Sequence, residues 1–258
     1  MRKVALVTGA AIRTGKIIAE YFSERSNDLV IHYGASGNEA NDVVKTIRKR
    51  GGNAVALRAD LTDEIQIQAL IDDTYRQYGR LDVLINCAAF FIQDHFPDIT
   101  AERLDFAWSV NCRAPILLTK AFYEKAKSAG TTGVVINVID QKIKGNFHRD
   151  HFCYTVGKTA IGNLTQMLAI SAAPVLRVNA VFPGLMLPSD NQTPEDFEYA
   201  AKRATPLGLI ATPEDLAGAI ELLLSPAYNG FDFVVDGGQN LVRVTQDVLY
   251  EHCAPKKE

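Results

Sequence analysis

The feature that most constrains the fold is a regular alternation of short apolar runs with amphipathic stretches. Apolar runs at Val4–Val7, Leu29–Tyr33, Val55–Leu57, Val83–Ile85, Val134–Ile139, Arg177–Phe182 and Phe231–Val235 read as strands. Helical patterns separate them, over about Lys16–Arg25, Glu39–Lys49, Ile65–Tyr78, Ala101–Lys127 with a break near Asn111, Tyr154–Ala173 and Glu214–Leu224. Short links between alternating strands and helices favour right-handed crossovers and a parallel sheet covered on both faces. The expected class is α/β, a doubly wound parallel sheet of about seven strands with helices on both faces. No linker, repeat or low-complexity tract appears, so residues 1–258 are expected to form one domain. Ligands of such sheets bind beyond the carboxyl ends of the strands. Gly9, Asp60, Asn86, Asp140 and Pro183-Gly184 each follow a strand and fall there.

Charge and cysteine usage narrow the partners. A net charge of -3, with 22% charged residues, gives no reason to expect nucleic acid or an anionic membrane. Cys87, Cys112, Cys153 and Cys253 show no Cys-x-x-Cys spacing and read as free thiols in a reducing compartment. The N-terminal apolar run is too short for a signal peptide, and no stretch is long enough to span a bilayer. The expectation is a soluble cytoplasmic protein acting on a small molecule. His148 and His151 lack the further ligands of a metal site.

Two stretches carry chemistry. Thr8-Gly9-Ala10-Ala11-Ile12-Arg13-Thr14-Gly15 lies between a strand and a helix, where small residues let the backbone approach a pyrophosphate. An ordinary strand-to-helix turn would read the same. Tyr154 and Lys158 lie one helical turn apart. A lysine there would lower the phenol's pKa toward the range of a general acid or base. A solvated helix face would show the same spacing.

Taken together, Thr8-Gly9 with Gly15, Asp60, Asn86-Cys87-Ala88-Ala89, Asn111, Tyr154-x-x-x-Lys158, Pro183-Gly184 and Asp236-Gly237-Gly238 resemble, in order and spacing, the motifs of the short-chain dehydrogenases/reductases. The resemblance spans nearly the whole chain. It implies a Rossmann fold, a nicotinamide cofactor and hydride transfer, with a cofactor half at about 1–130 and a catalytic half at about 131–250. It implies Tyr154 as proton donor, Lys158 lowering its pKa and holding the ribose, and Asn111 supporting a proton relay. Gly9, Ile12, Arg13, Gly15, Ser36, Asp60, Leu61, Asn86, Ala88, Pro183 and Gly184 are the expected cofactor positions, with Asp60 at the adenine. Family members usually form tetramers through the helices containing Asn111 and Tyr154, so a homotetramer or homodimer is expected.

The departures sharpen the reading. Arg13 replaces the middle glycine of the usual turn, and a guanidinium suits a second phosphate. The second strand ends His32-Tyr33-Gly34-Ala35-Ser36, with no acid for a free 2′-hydroxyl and no basic residue near Ala35. The turn and the missing acid favour NADP(H) over NAD(H). The fifth strand ends in Asp140 where the family has a serine. An ionised Asp accepts hydrogen bonds from N–H groups but cannot donate to a carbonyl. Pteridine and dihydromonapterin reductases share the Arg-containing turn and the Asp, and Gly184-Leu185 also fits them. In them an aromatic residue after the Asn-Ala segment stacks on the pterin. Phe90 holds that position, with Phe91 beside it. Phe90, Asp140, Tyr154 and Leu185 are therefore the expected substrate contacts, and Met186 and Leu187 lie where a short substrate lid would be. One extra residue separates Asp140 from Tyr154. The intervening basic segment, residues 141–151, reads equally as a substrate mouth for an anionic tail or as a surface loop. The expected activity is NADPH-dependent reduction of a pterin-like substrate. A carbonyl or 3-oxoacyl reductase and a non-catalytic NADP-binding regulatory protein are the alternatives.

Overall fold

A computed structural model describes residues 2–189 and 192–248. Asp190, Asn191 and Cys253 lie outside the described residues. Seven strands form one sheet: β1 (Lys3–Val7), β2 (Asn27–Tyr33), β3 (Asn53–Arg58), β4 (Val83–Asn86), β5 (Gly133–Val138), β6 (Leu176–Pro183) and β7 (Asp232–Val235). Their order is β3-β2-β1-β4-β5-β6-β7, and every pairing is parallel. Alternate residues of β1 serve opposite cores. Ala5 and Val7 join Ile18 and Phe22 of α1 (Arg13–Ser23), Val43 and Ile47 of α2 (Gly37–Lys49) and, near the C-terminus, Leu216 and Ile220 of the last long helix. Val4 and Leu6 pack with Ile67 and Leu70 of α3 (Glu64–Tyr78) and with the following helices. This two-sided burial explains why the strands read as unbroken apolar runs.

The expected break near Asn111 is a π-helical turn, Ser109–Arg113, between α4 (Ala101–Trp108) and α5 (Ala114–Ala129). Such turns disrupt the regular ladder and often mark functional positions. Asn111 there faces α6 (Phe152–Ala172), the helix of Tyr154 and Lys158. A Cβ on Gly157 would stand 2.8 Å from the Asn111 Cβ, so the glycine permits this approach. The sequence reading missed α7 (Pro194–Ala204), although its signal is present. Thr193-Pro194-Glu195-Asp196 repeats the Thr212-Pro213-Glu214-Asp215 that opens α8 (Pro213–Leu223), and each forms a reciprocal capping box. No helix among the described residues is long and apolar enough to cross a membrane.

β1 pairs with β2 on one side and β4 on the other, so consecutive connections leave in opposite directions there. A crevice opens at the carboxyl ends at such a point.

Candidate active site

The glycine turn sits at this crevice. Thr8 locks it to β4: its Oγ1 accepts from the amides of Cys87 and Ala88, each at 3.0 Å. Gly9 has φ 64, and a Cβ on it would stand 2.9 Å from the Ala88 Cα. A Cβ on Gly15 would stand 2.3 Å from the Gly9 carbonyl oxygen. The turn is thus close-packed backbone on backbone. Ile12 occupies the N-cap of α1 with no side-chain cap, and the first turn carries no acid. The helix therefore presents its N-terminal amides to the crevice, the arrangement that suits an anion. His32 was not anticipated. Its Nδ1 accepts from the Gly9 amide at 3.1 Å, and its Nε2 donates to the Ala59 carbonyl at 3.1 Å. Burial pushes its pKa down to about 4, so the neutral ring braces the turn.

Arg13 explains why a glycine is usual at its position: its φ is 52, in the left-handed region. Its guanidinium donates to the Pro188 carbonyl at 3.0 Å and lines the cleft. Ser36 stands at the N-cap of α2 and makes no capping bond. Arg58, at the end of β3 and paired in register with Tyr33, reaches over to Gly34 and donates to its carbonyl at 3.2 Å. A cation therefore does stand beside Gly34–Ser36, delivered by the neighbouring strand. Asp60 uses its carboxylate on Thr62, whose amide and hydroxyl donate at 2.8 and 2.7 Å and lower the Asp60 pKa. Leu61 is buried.

Asp140, Tyr154 and Lys158 line a cleft of about 250 Å³ together with Arg13, Pro183, Gly184 and Leu185. The Tyr154 hydroxyl donates to Asp140 Oδ2 at 2.8 Å. Asp140 Oδ1 accepts from the Lys142 amide at 2.7 Å, so the carboxylate both caps the following 3-10 turn and holds the phenol. Lys158 is buried and donates to the Val138 carbonyl at 2.7 Å, and its Nζ lies 5.8 Å from the Tyr154 ring centroid. Burial lowers the Lys158 pKa. The sequence-based expectation of a phenol shifted down by Lys158 is corrected here. Burial, and then the Asp140 carboxylate, push the Tyr154 pKa well above its ordinary value. The physical reason is that burial disfavours the charged phenolate and an acceptor anion on the hydroxyl further stabilises the protonated phenol.

Behind the cleft, Asn111 clamps the backbone of Phe90. Its Oδ1 accepts from the Phe90 amide at 2.8 Å and its Nδ2 donates to the Phe90 carbonyl at 2.9 Å. Asn86 donates to Asn137 at 2.9 Å, and its own buried Oδ1 has no partner. The two phenylalanines part company. Phe90 turns away onto Phe106, with centroids 4.7 Å apart, whereas Phe91 lines the cleft with its ring edge-on to Tyr154 at 4.8 Å. The aromatic wall expected from Phe90 is supplied by Phe91. Gly184 and Leu185 are fixed by Gln239, whose Oε1 accepts from the Leu185 amide at 2.8 Å. Among the described residues no cluster of His, Cys, Asp and Glu could hold a metal ion.

A close glycine turn at a helix N-terminus, opening beside a Tyr–Lys pair in the first two turns of α6 and the Asp140 that follows β5, marks an oxidoreductase site. The chain belongs to the short-chain dehydrogenase/reductase family: a family model described as "Enoyl-(Acyl carrier protein) reductase" matches residues 9–240. Among solved structures it is similar to FolM Alternative dihydrofolate reductase 1 from Brucella canis complexed with NADP, at 31% identity and TM-score 0.87, covering 95% of this chain and 96% of that one. The Brucella suis counterpart in complex with NADP shows 32% identity and TM-score 0.87, over 95% and 98% of the two chains. Among sequences, Glucose 1-dehydrogenase 2 of Bacillus subtilis is 30% identical, covering 93% of this chain and 95% of that protein. A probable tetrahydroxynaphthalene reductase of Zymoseptoria tritici is 30% identical over 86% and 88%.

Proposed function

We propose that the protein is an NADPH-dependent reductase of pterin-like substrates. The observation that carries this reading is the Tyr154 hydroxyl donating to Asp140, beside an aromatic cleft wall. The residues present fit a dinucleotide. The turn leaves no room for a Cβ at Gly9 or Gly15, and the uncapped α1 amides face the crevice. Arg13, in the glycine turn, and Arg58, beside Gly34, are the cations that would meet a 2′-phosphate, and no acid ends β2 to prefer a free hydroxyl. A bound reduced nicotinamide would supply the hydride.

The chain's own residues do the rest. Phe91 offers a flat apolar face beside Tyr154 for a heteroaromatic ring. Tyr154 keeps its proton until a substrate nitrogen takes it, because burial and Asp140 hold the phenol protonated. Asp140 accepts from the hydroxyl before transfer, and a carboxylate there also suits the ring and amino N–H groups of a pterin. Lys158 supplies the buried positive charge that stabilises the phenolate left behind. Asn111 positions the segment that carries Phe91 by holding the backbone of Phe90.

The test is NADPH oxidation by the purified protein with dihydrobiopterin, dihydromonapterin and dihydrofolate, run beside an acetoacetyl thioester. Pterin turnover that disappears in Tyr154→Phe is the expected result. Turnover of the thioester alone would overturn the reading in favour of a carbonyl reductase.

A further inference from the structure

The basic segment between Asp140 and α6 has an unexpected fate. Lys142, His148 and His151 are buried, and three basic groups enter a protein interior only with an acid to meet them. That acid comes from the far end of the chain. His148 Nδ1 lies 2.9 Å from Asp247 Oδ1, Lys142 Nζ lies 3.3 Å from the same oxygen, and His151 Nε2 lies 2.5 Å from Oδ2. Residues 242–248 are strapped across the segment by backbone amides as well. The Val244 amide donates to Asn146 Oδ1 at 3.2 Å, the Arg149 amide to the Thr245 carbonyl at 3.0 Å, and the Asp247 amide to Asp150 Oδ2 at 2.7 Å.

The clasp meets the cleft at the Phe91 ring, beside Lys142 and Asp247 in the lining. His151 sits at the N-cap of α6 with φ 60, a strained position for a residue with a Cβ. Its Nδ1 lies 2.7 Å from the Ile92 carbonyl, so Asp247 and Ile92 hold the imidazole from both sides. Phe91 lies on that imidazole, with centroids 4.1 Å apart and planes at 23°, and turns its ring toward Tyr154. The Lys142 amine stands 5.4 Å from the centroid of the same ring. Asp247 itself lines the cleft.

We propose that Asp247 is a positioning residue: through His151 and Lys142 it fixes the Phe91 ring that walls the cleft beside Tyr154. The basic side chains of the segment then serve the architecture of the site, and the Lys142 amine is engaged by Asp247 instead of an anionic substrate tail. The kinetic part of the test rests on the pterin reading; the exchange part does not.

The experiment compares wild type, Asp247→Ala, Phe91→Leu and the double variant. In the cofactor-free proteins, hydrogen exchange of amides 89–95 is expected to rise in Asp247→Ala while amides 8–20 keep their wild-type rates. With a dihydropterin, KM is expected to rise about tenfold in each single variant, since misplacement of order 1 Å at a site is costly. The KM for NADPH should stay within about twofold, because uniform binding of the cofactor is untouched. The double variant should be no worse than Phe91→Leu, because the two residues act along one path. If Asp247→Ala does not fold, Asp247→Asn, which keeps the shape and loses the charge, takes its place in every comparison. Unchanged exchange at 89–95, or additive KM effects, would overturn the proposal. If wild type turns over no pterin, the pterin reading fails and the exchange result alone decides this one.

Discussion

The two walls of the cleft are built by opposite means. The cofactor-side wall is backbone on backbone: Gly15 under Gly9, Gly9 over Ala88, and Thr8 and His32 pinning the turn to its neighbours. Arg13, the charged side chain of the turn itself, stands in a strained conformation. The substrate-side wall is side chain on side chain: Asp140 on Tyr154, Asp247 on His148, His151 and Lys142, and Phe91 on His151. The first arrangement tolerates almost no added atom. The second depends on charges that titrate and on contacts between distant parts of the chain. A site so divided can hold one ligand by shape common to a family and adapt the other wall to a particular substrate.

The largest expected effect tests the substrate-side wall. Tyr154→Phe removes the proton donor and should lower turnover by about 10²–10⁴-fold, with the unfolding midpoint near wild type. A variant retaining more than a tenth of wild-type turnover would assign the proton to another group.

Acid should separate the two walls. His32 is a base whose folded pKa, about 4, lies below its ordinary value near 6.5. The unfolded chain therefore takes up the proton first as pH falls. The stability from the neutral ring is complete above about pH 6.5 and is lost toward about pH 4, at up to about 1.4 kcal/mol per pH unit. Asp247 behaves differently. Burial alone would raise its carboxyl, but His148, His151 and Lys142 outweigh it and hold the group well below the usual carboxylate range. Its contribution is present above about pH 4 and is lost only as pH falls through the lower folded value. Urea unfolding between pH 7 and pH 4 should thus weaken in wild type and stay flatter in His32→Gln. Equal slopes would mean that His32 does not brace the turn.

A smaller effect is expected from Gly15→Ala. A Cβ placed 2.3 Å from a carbonyl oxygen forces the backbone apart, at a cost of about 1–3 kcal/mol in the urea midpoint. A neutral result would show that the turn is looser than the geometry implies. The smallest effect pairs stability against function. Arg13→Gly relieves a left-handed residue and should stabilise by about 1 kcal/mol, while NADPH affinity falls and NADH affinity does not. Arg58→Ala should weaken 2′,5′-ADP binding by a similar factor, and its failure to do so would leave Arg13 alone at that position.

The unequal legibility of the two walls has the same cause as their construction. Strands, helices and the glycine turn follow from local periodicity and spacing, and so were readable, down to the break at Asn111. The opening of α7 was readable as well, since Thr193–Asp196 repeats the box at Thr212–Asp215. The substrate-side wall joins residues 96 and 99 positions apart, such as His151 and His148 with Asp247. Periodicity carries no trace of such a pair, so the 141–151 segment stayed undecided between mouth and surface. Which of Phe90 and Phe91 lines the cleft was not legible for a related reason. Both follow β4 in irregular backbone, where neighbouring side chains have no fixed period to assign their directions. The Tyr154 shift turned on burial and on which group meets the hydroxyl, neither of which is written in a four-residue spacing.

The most direct measurement is the Asp140→Ser substitution, assayed with NADPH against a dihydropterin and an acetoacetyl thioester in parallel. The account predicts that wild type turns over the pterin and that the variant loses this activity, because the carboxylate that receives Tyr154 and suits ring N–H groups is gone. A variant that gains thioester turnover, from a wild type inactive on pterins, would contradict it and make the site that of a carbonyl reductase.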